Sequence, residues 1–308
     1  MADSKAAAGT TVGIIGLGIM GGAYARNLLR AGFPVVGFDV DADRVAEFTA
    51  AGGLAAASPH EVAGRSDVVL LALASVGALE AIYAGPEGIA GTLRPGAVVV
   101  DMGTLPLEAK ERCRAALEAR GAHVLDCPVS GTGAQAATGD LVIYASGDAA
   151  VVERVRPVFD GFARETRYVG PFGAGMKLKY IANLLVTIHN LAAAEALLLA
   201  EKAGLDLPMV YDAIRSGAGT SRMFEVRGPL MIEDRYEPAT MKMEVFMKDL
   251  TLILDFARDV RCPTPLMAAS LPYYVAALAE GRGRQDTAAL FAVLQGLAKP
   301  ASGGEVPR

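Results

Sequence analysis

Three groups of residues have the types and spacing to do chemistry. The first is Gly16-Leu17-Gly18-Ile19-Met20-Gly21, a glycine-rich turn directly after the apolar run Val12–Ile15. Glycines at this spacing permit a tight turn at Gly16, close approach of a pyrophosphate at Gly18, and close packing of a following helix at Gly21. The helix N-terminus then offers N–H donors and its positive dipole end to phosphate. Eighteen residues after Gly21, closing the run Val36-Gly37-Phe38, stands Asp39. Its carboxylate can accept both hydroxyls of an adenine ribose and repels a 2′-phosphate. Val40 follows, with no cation to neutralise such a phosphate, which favours NAD over NADP; Arg44, five residues on from Asp39, is the cation that weakens this preference. The second group is Asp126-Cys127-Pro128-Val129-Ser130-Gly131-Thr132-Gly133. Ser130 and the small residues after it can present a hydroxyl and backbone N–H groups to an anion, although Ser-Gly is also an ordinary turn. Cys127 reads as a small buried side chain. The third group is Lys179 and Asn183, four apart and therefore on one helix face, whereas Lys177 has Ile181 at that distance. Lysines near a helix start are usually solvated. Partial burial ahead of an apolar stretch lowers a lysine's pKa toward the range in which it exchanges protons at neutral pH.

The elements that must position these groups follow from periodicity. Strands are expected at Val12–Gly16, Pro34–Asp39, Asp67–Leu73, Ala97–Asp101, His123–Val129, Leu141–Ser146 and Arg167–Val169. Helices are expected at Met20–Ala31, Ala42–Ala50, Glu108–Arg120 and Ala149–Phe162. Continuously apolar runs such as Val98-Val99-Val100 suit a sheet covered on both faces, and the alternation predicts an α/β, doubly wound parallel sheet. From Gly173 to Ala203 a single long helix is expected; Lys179 and Glu195 enclose fifteen uncharged residues. A helix apolar on all sides is expected to be buried all round, between domains or subunits. Only helical segments follow. Phe246, Leu250, Ile253 and Ala257 share a face, and Pro263–Gly281 and Gln285–Leu297 look similar. The resulting division is a dinucleotide-binding Rossmann-type domain at 10–170, a long interdomain helix at 171–203, an all-α domain at 204–298, and a frayed tail at 299–308.

Composition closes off other classes. With 52% hydrophobic and 20% charged residues, the 308-residue chain has ample apolar surface to bury and is not a disordered segment. Twenty-nine basic against 34 acidic residues, with no basic stripe, argue against a nucleic-acid binder. Three cysteines without CxxC spacing read as buried thiols in a reducing compartment, not as disulfides or a zinc site. The uncharged run Ala6–Ala25 is interrupted by six glycines, so it reads as strand, turn and helix start rather than a signal peptide or membrane span. A soluble, cytoplasmic protein is expected, without metal or membrane.

These motifs, in this order, resemble the β-hydroxyacid dehydrogenases, from Val12 to about Leu297. The resemblance implies that the Gly16–Gly21 loop, Asp39, Leu73 and Thr104 bind the dinucleotide, Thr104 on the nicotinamide side unless it merely caps a helix. It implies that Lys248 reaches the cofactor, that Ser130, Gly131 and Thr132 form the substrate-carboxylate loop, that Lys179 is the catalytic lysine, and that Asn183 is its hydrogen-bonding companion. Thr132 replaces the family's usual second glycine, Ala182 stands where many members have Asn, and Val186 replaces the carboxylate of 6-phosphogluconate dehydrogenases. That last activity is excluded. Implied is an NAD-dependent enzyme moving a hydride between nicotinamide and the hydroxyl-bearing carbon of a small hydroxyacid, working as a homodimer or homotetramer. The alternatives are a tartronate or succinic semialdehyde type of reductase, an imine reductase-like enzyme, and a dinucleotide-dependent binding or scaffold protein.

Overall fold

Short β-branched runs bounded by turn residues become strands once both faces can be covered, and this governs the first half of the chain. The computed structural model describes residues 9–298; the tail expected to fray lies outside the described residues. The chain divides into two units, Met1–Lys179 and Tyr180–Arg308. The first unit holds β1 (Val12–Ile15), α1 (Ile19–Arg30), β2 (Val35–Phe38), α2 (Ala42–Ala50), β3 (Leu54–Ala55), α3 (Pro59–Arg65), β4 (Val68–Leu71) and α4 (Val76–Ala84). After a 3-10 turn it continues with β5 (Val98–Asp101), α5 (Leu107–Glu118), β6 (His123–Asp126), β7 (Val129–Ser130), α6 (Gly133–Ala137), β8 (Val142–Ser146), α7 (Ala149–Asp160) and β9 (Glu165–Gly170).

These strands form one sheet in the order β3-β2-β1-β4-β5-β6-β8-β7, with β9 also pairing β8. Alternate residues feed two apolar layers: Val98 and Val100 enter one, Val99 the other. Strand β1 lies between β2 and β4, parallel to both. This is the point at which the strand order reverses, and ligands bind outside the carboxyl ends of the strands there. The expected all-parallel sheet turns at its far end, where β8 runs antiparallel to β6 and β7. The connection from β7 to β8 holds only the short α6, and a parallel return needs a longer crossover. The expected strand His123–Val129 breaks at Cys127-Pro128, because proline has no N–H for the ladder. The two-residue, exposed β3 carried no sequence signal.

The second unit is helical. Helix α8 (Ala174–Lys202) begins in the first unit and continues into the second, so the division falls inside it rather than setting it apart as a separate segment. Its 29 residues span about 44 Å at ~1.5 Å each. Then come α9 (Leu207–Arg215), α10 (Arg222–Ile232), α11 (Met243–Asp259), α12 (Pro265–Ala279), a 3-10 turn and α13 (Leu290–Leu297). The α11 face Phe246, Leu250, Ile253 and Ala257 is buried, as its spacing requires. Burying each of Phe246, Leu250 and Ile253 is worth roughly 1.5–3 kcal/mol. Helix α8 is not buried all round: Ile181, Leu185 and Leu199 are 55%, 47% and 72% exposed in the single chain. The helix is apolar on more faces than this one chain covers.

Candidate functional site

The glycine-rich loop lies between β1 and α1, and its geometry demands glycine. Gly16 has φ +94°, a conformation unfavourable to other residues, and a Cβ on Gly21 would lie 1.9 Å from the Gly16 carbonyl oxygen. Helix α1 starts at Gly18 with no side chain capping it, which suits a phosphate as partner for its first N–H groups. Leu17 is buried, Met20 packs on an apolar layer, and Ile19 is exposed. Leu73 follows β4, and its side chain flanks Gly16. Asp39, half-buried just after β2, accepts from the N–H groups of Leu17 at 2.6 Å and Asp41 at 2.9 Å. The acid expected on the ribose thereby also fixes the phosphate loop. Val40 is fully in solvent, while the Arg44 guanidinium reaches over Gly18 and pairs with Asp41 at 3.1 Å. The loop, the uncapped helix and Asp39 fit a dinucleotide.

Thr104 lies in the half-buried segment after β5. Helix α5 takes Pro106 as its N-cap, so Thr104 is not the cap. Beyond β6, Ser130 ends β7 and Gly131 follows, both half-buried. Thr132 has a local role that the resemblance did not imply. Its hydroxyl accepts from the Gln135 backbone N–H, and the Gln135 side-chain Oε1 accepts from Thr132 N–H, a reciprocal capping box at the start of α6. Both polar groups of Thr132 thus take part in capping α6.

Lys179 is 8% exposed, whereas Lys177, two residues earlier, is exposed. Of the two lysines, Lys179 is the one that is buried, as is Asn183 four residues on. In the second unit Asn183 is buried and donates through Nδ2 to Asp249 Oδ2 at 2.9 Å. The other oxygen of Asp249 pairs with Lys248 at 2.9 Å. One carboxylate on α11 thus holds two of the residues that the resemblance singled out. Sequence reasoning passed over Asp249, although its place beside Lys248 was a signal. It also passed over Lys110, which is fully buried against Asp126 and Asp101. Burial pushes the thiols of Cys113 and Cys127 up, as expected of inert side chains; Cys262, expected to be buried, is exposed. Among the described residues no cluster of metal-ligating side chains occurs.

Residues 11–170 match the NAD-binding domain of 6-phosphogluconate dehydrogenase, and residues 173–294 match the NAD-binding domain of NADP-dependent 3-hydroxyisobutyrate dehydrogenase. The L-threonate dehydrogenase of Cupriavidus necator is 37% identical, covering 94% of this chain and 97% of its own. The 2-(hydroxymethyl)glutarate dehydrogenase of Eubacterium barkeri is 32% identical, covering 92% and 94%. Among solved structures, the 3-hydroxyisobutyrate dehydrogenase of Salmonella typhimurium is 35% identical with TM-score 0.83, covering 92% of this chain and 99% of its own.

Proposed function

Given that the chain belongs to the 3-hydroxyisobutyrate dehydrogenase family of β-hydroxyacid dehydrogenases, we propose that Lys179 is the acid–base group in its reversible, NAD-linked oxidation of a small hydroxyacid. The observation that carries this is the burial of Lys179 beside an exposed Lys177. The dinucleotide, when bound, supplies the hydride chemistry at its nicotinamide. Lys179, neutral, takes the hydroxyl proton during oxidation and returns it during reduction. Asn183, one turn further along α8 and fixed by Asp249, orients the substrate hydroxyl. Ser130 and Gly131 hold the carboxylate, and the family resemblance assigns Thr104 and Lys248 to the cofactor. Asp39 followed by Val40 supports NAD over NADP.

The exposed Ile181, Leu185 and Leu199 support a homo-oligomer that covers them. Helix α8 is long and apolar enough to cross a membrane, but we read it as a core helix of a cytoplasmic protein. In support, its Asn190 donates to the Thr287 carbonyl at 2.8 Å. The test is a panel of hydroxyisobutyrate, glycerate, threonate, serine and hydroxymethyl dicarboxylates, followed by NADH absorbance. Turnover of at least one acid is expected, with kcat/KM at least tenfold higher for NAD than for NADP, a difference of about 1.4 kcal/mol. Equal values would overturn the cofactor assignment, and no turnover at all would overturn the reaction.

A further inference from the structure

Lysine is almost never fully buried unless it is paired, and Lys110 has no exposed surface at all. It projects from α5 into the carboxyl ends of two neighbouring strands. Its Nζ lies 2.6 Å from Asp126 Oδ1, at the end of β6, and 3.4 Å from Asp101 Oδ1, at the end of β5. Burial opposes the charge on this amine, yet the two carboxylates hold its pKa above the ordinary lysine value. It is a fixed cation at pH 7.

Each partner leads to a different part of the candidate site. Asp101 Oδ1 also accepts from Gly103 N–H at 2.9 Å, fixing the backbone immediately before Thr104. Asp126 begins the segment that runs through Cys127 and Pro128 to Ser130 and Gly131. Its second oxygen, Oδ2, accepts from Met176 N–H at 2.8 Å, in the first turn of α8. Ser146, also fully buried, donates to Asp126 and accepts from Gly175 N–H at 3.0 Å. Gly175 itself has no room for a side chain: a Cβ there would lie 2.5 Å from the Tyr144 carbonyl oxygen and 2.7 Å from that of Asp126. The start of α8 is thus pressed onto the ends of β6 and β8 and held there by the oxygens of Asp126 and Ser146. Lys179 is three residues beyond Met176, one turn along the helix. No side chain in this cluster is accessible to a substrate, so its influence on chemistry is indirect.

We propose that Lys110, acting through Asp126 and Ser146, is a positioning residue for the reaction. It holds the Thr104 segment, the Ser130 loop and the first turn of α8 at one spacing, so that Lys179 meets the hydroxyl of a substrate whose carboxylate is held by Ser130 and Gly131. This inference rests on the acid–base role given to Lys179. A misplacement of about 1 Å is enough to cost on the order of 10²-fold in rate, whereas a purely structural cluster would lower stability and leave the folded enzyme's kinetics alone.

The test compares Lys110→Met and Ser146→Ala with the full-length wild type. Lys110→Met leaves two buried carboxylates without their cation, so Ser146→Ala, which removes only a hydroxyl, carries the test if that variant does not fold. Three quantities are read: kcat and KM for the best acid of the panel, the pH profile of kcat, and the calorimetric Kd for NAD. Amide exchange by mass spectrometry is followed over residues 127–133 and 174–179. Expected for Ser146→Ala is a three- to tenfold fall in kcat with a raised substrate KM, a displaced limb of the pH profile and an NAD Kd within twofold. Protection should fall in both segments together while β1 and β4 keep theirs; Lys110→Met should lose about 10²-fold in kcat. Lowered melting temperatures with unchanged kcat, KM and pH profile would overturn the inference. If the wild type turns over none of the acids, the functional reading fails separately, and exchange alone decides: loss confined to residues 145–147 overturns the clamp, and joint loss in both segments supports it.

Discussion

Lys177 and Lys179 are two positions apart, and about 200° of helical rotation therefore lies between their side chains. One amine is left in water and the other is taken out of it. The proposed acid–base role falls to the second, so Lys179→Ala should lower kcat by roughly 10² to 10⁴. The Kd for NAD should hardly change, and Lys177→Ala should stay within about twofold of wild type. Stopped-flow turnover with calorimetric binding checks both; damage from Lys177→Ala alone would reverse the assignment. Legibility at this scale tracked how much of the chemistry is backbone chemistry. The glycine turn and Asp39 were readable because their spacing is dictated by a ligand and a helix start. Lys110 was not, since within Glu108-Ala109-Lys110-Glu111-Arg112 it looks like one more charge on a solvated helix face. Its burial depends on Asp101 and Asp126 arriving from other strands.

At the scale of elements, α6 is short enough to depend on its cap. Thr132 and Gln135 satisfy each other's backbone neighbours across its first turn, and Gln135 also donates to Asp140 at 3.0 Å. Thr132→Ala should cost about 0.5–2 kcal/mol in a urea titration. The order of preference across the hydroxyacid panel should stay as in the wild type, because the hydroxyl serves the helix. A reordered panel would return Thr132 to substrate selection. The Thr-x-x-Gln spacing was present in the sequence and was a usable signal for this cap. Helices such as α2, α8 and α11 were legible because their pattern is local. The reversal of β8 was not, because strand direction depends on how far a connection can reach and on partners distant in the chain.

The two units answer acid differently. In the second, burial pushes the Asp286 carboxyl up, but Arg227 at 3.2 Å and donors from Ala288, Thr240 and Met241 more than reverse this and hold it below the usual carboxylate range. A carboxyl with a depressed folded-state pKa contributes stability that is present above its unfolded value, near 3.9, and is lost as pH falls toward the folded one. In the first unit burial raises the Asp101 carboxyl despite Lys110, so protonation there relieves rather than costs. Amide exchange in residues 236–241 and 286–297, taken relative to the intrinsic rate at each pH, should therefore rise below about pH 3.9. Asp286→Asn should raise that exchange at neutral pH and flatten its pH dependence; unchanged exchange in the variant would remove Asp286 from this role. The cysteines, finally, turn burial into a clock. Cys262 is open to solvent, while Cys113 and Cys127 lie in the first unit's interior with thiols held protonated by burial. An alkylating reagent should give the native protein one adduct quickly, and the second and third only as fast as the first unit opens; three adducts at one rate would contradict the burial. Each molecule then carries a timed, covalent record of its own opening, countable by mass long after the event.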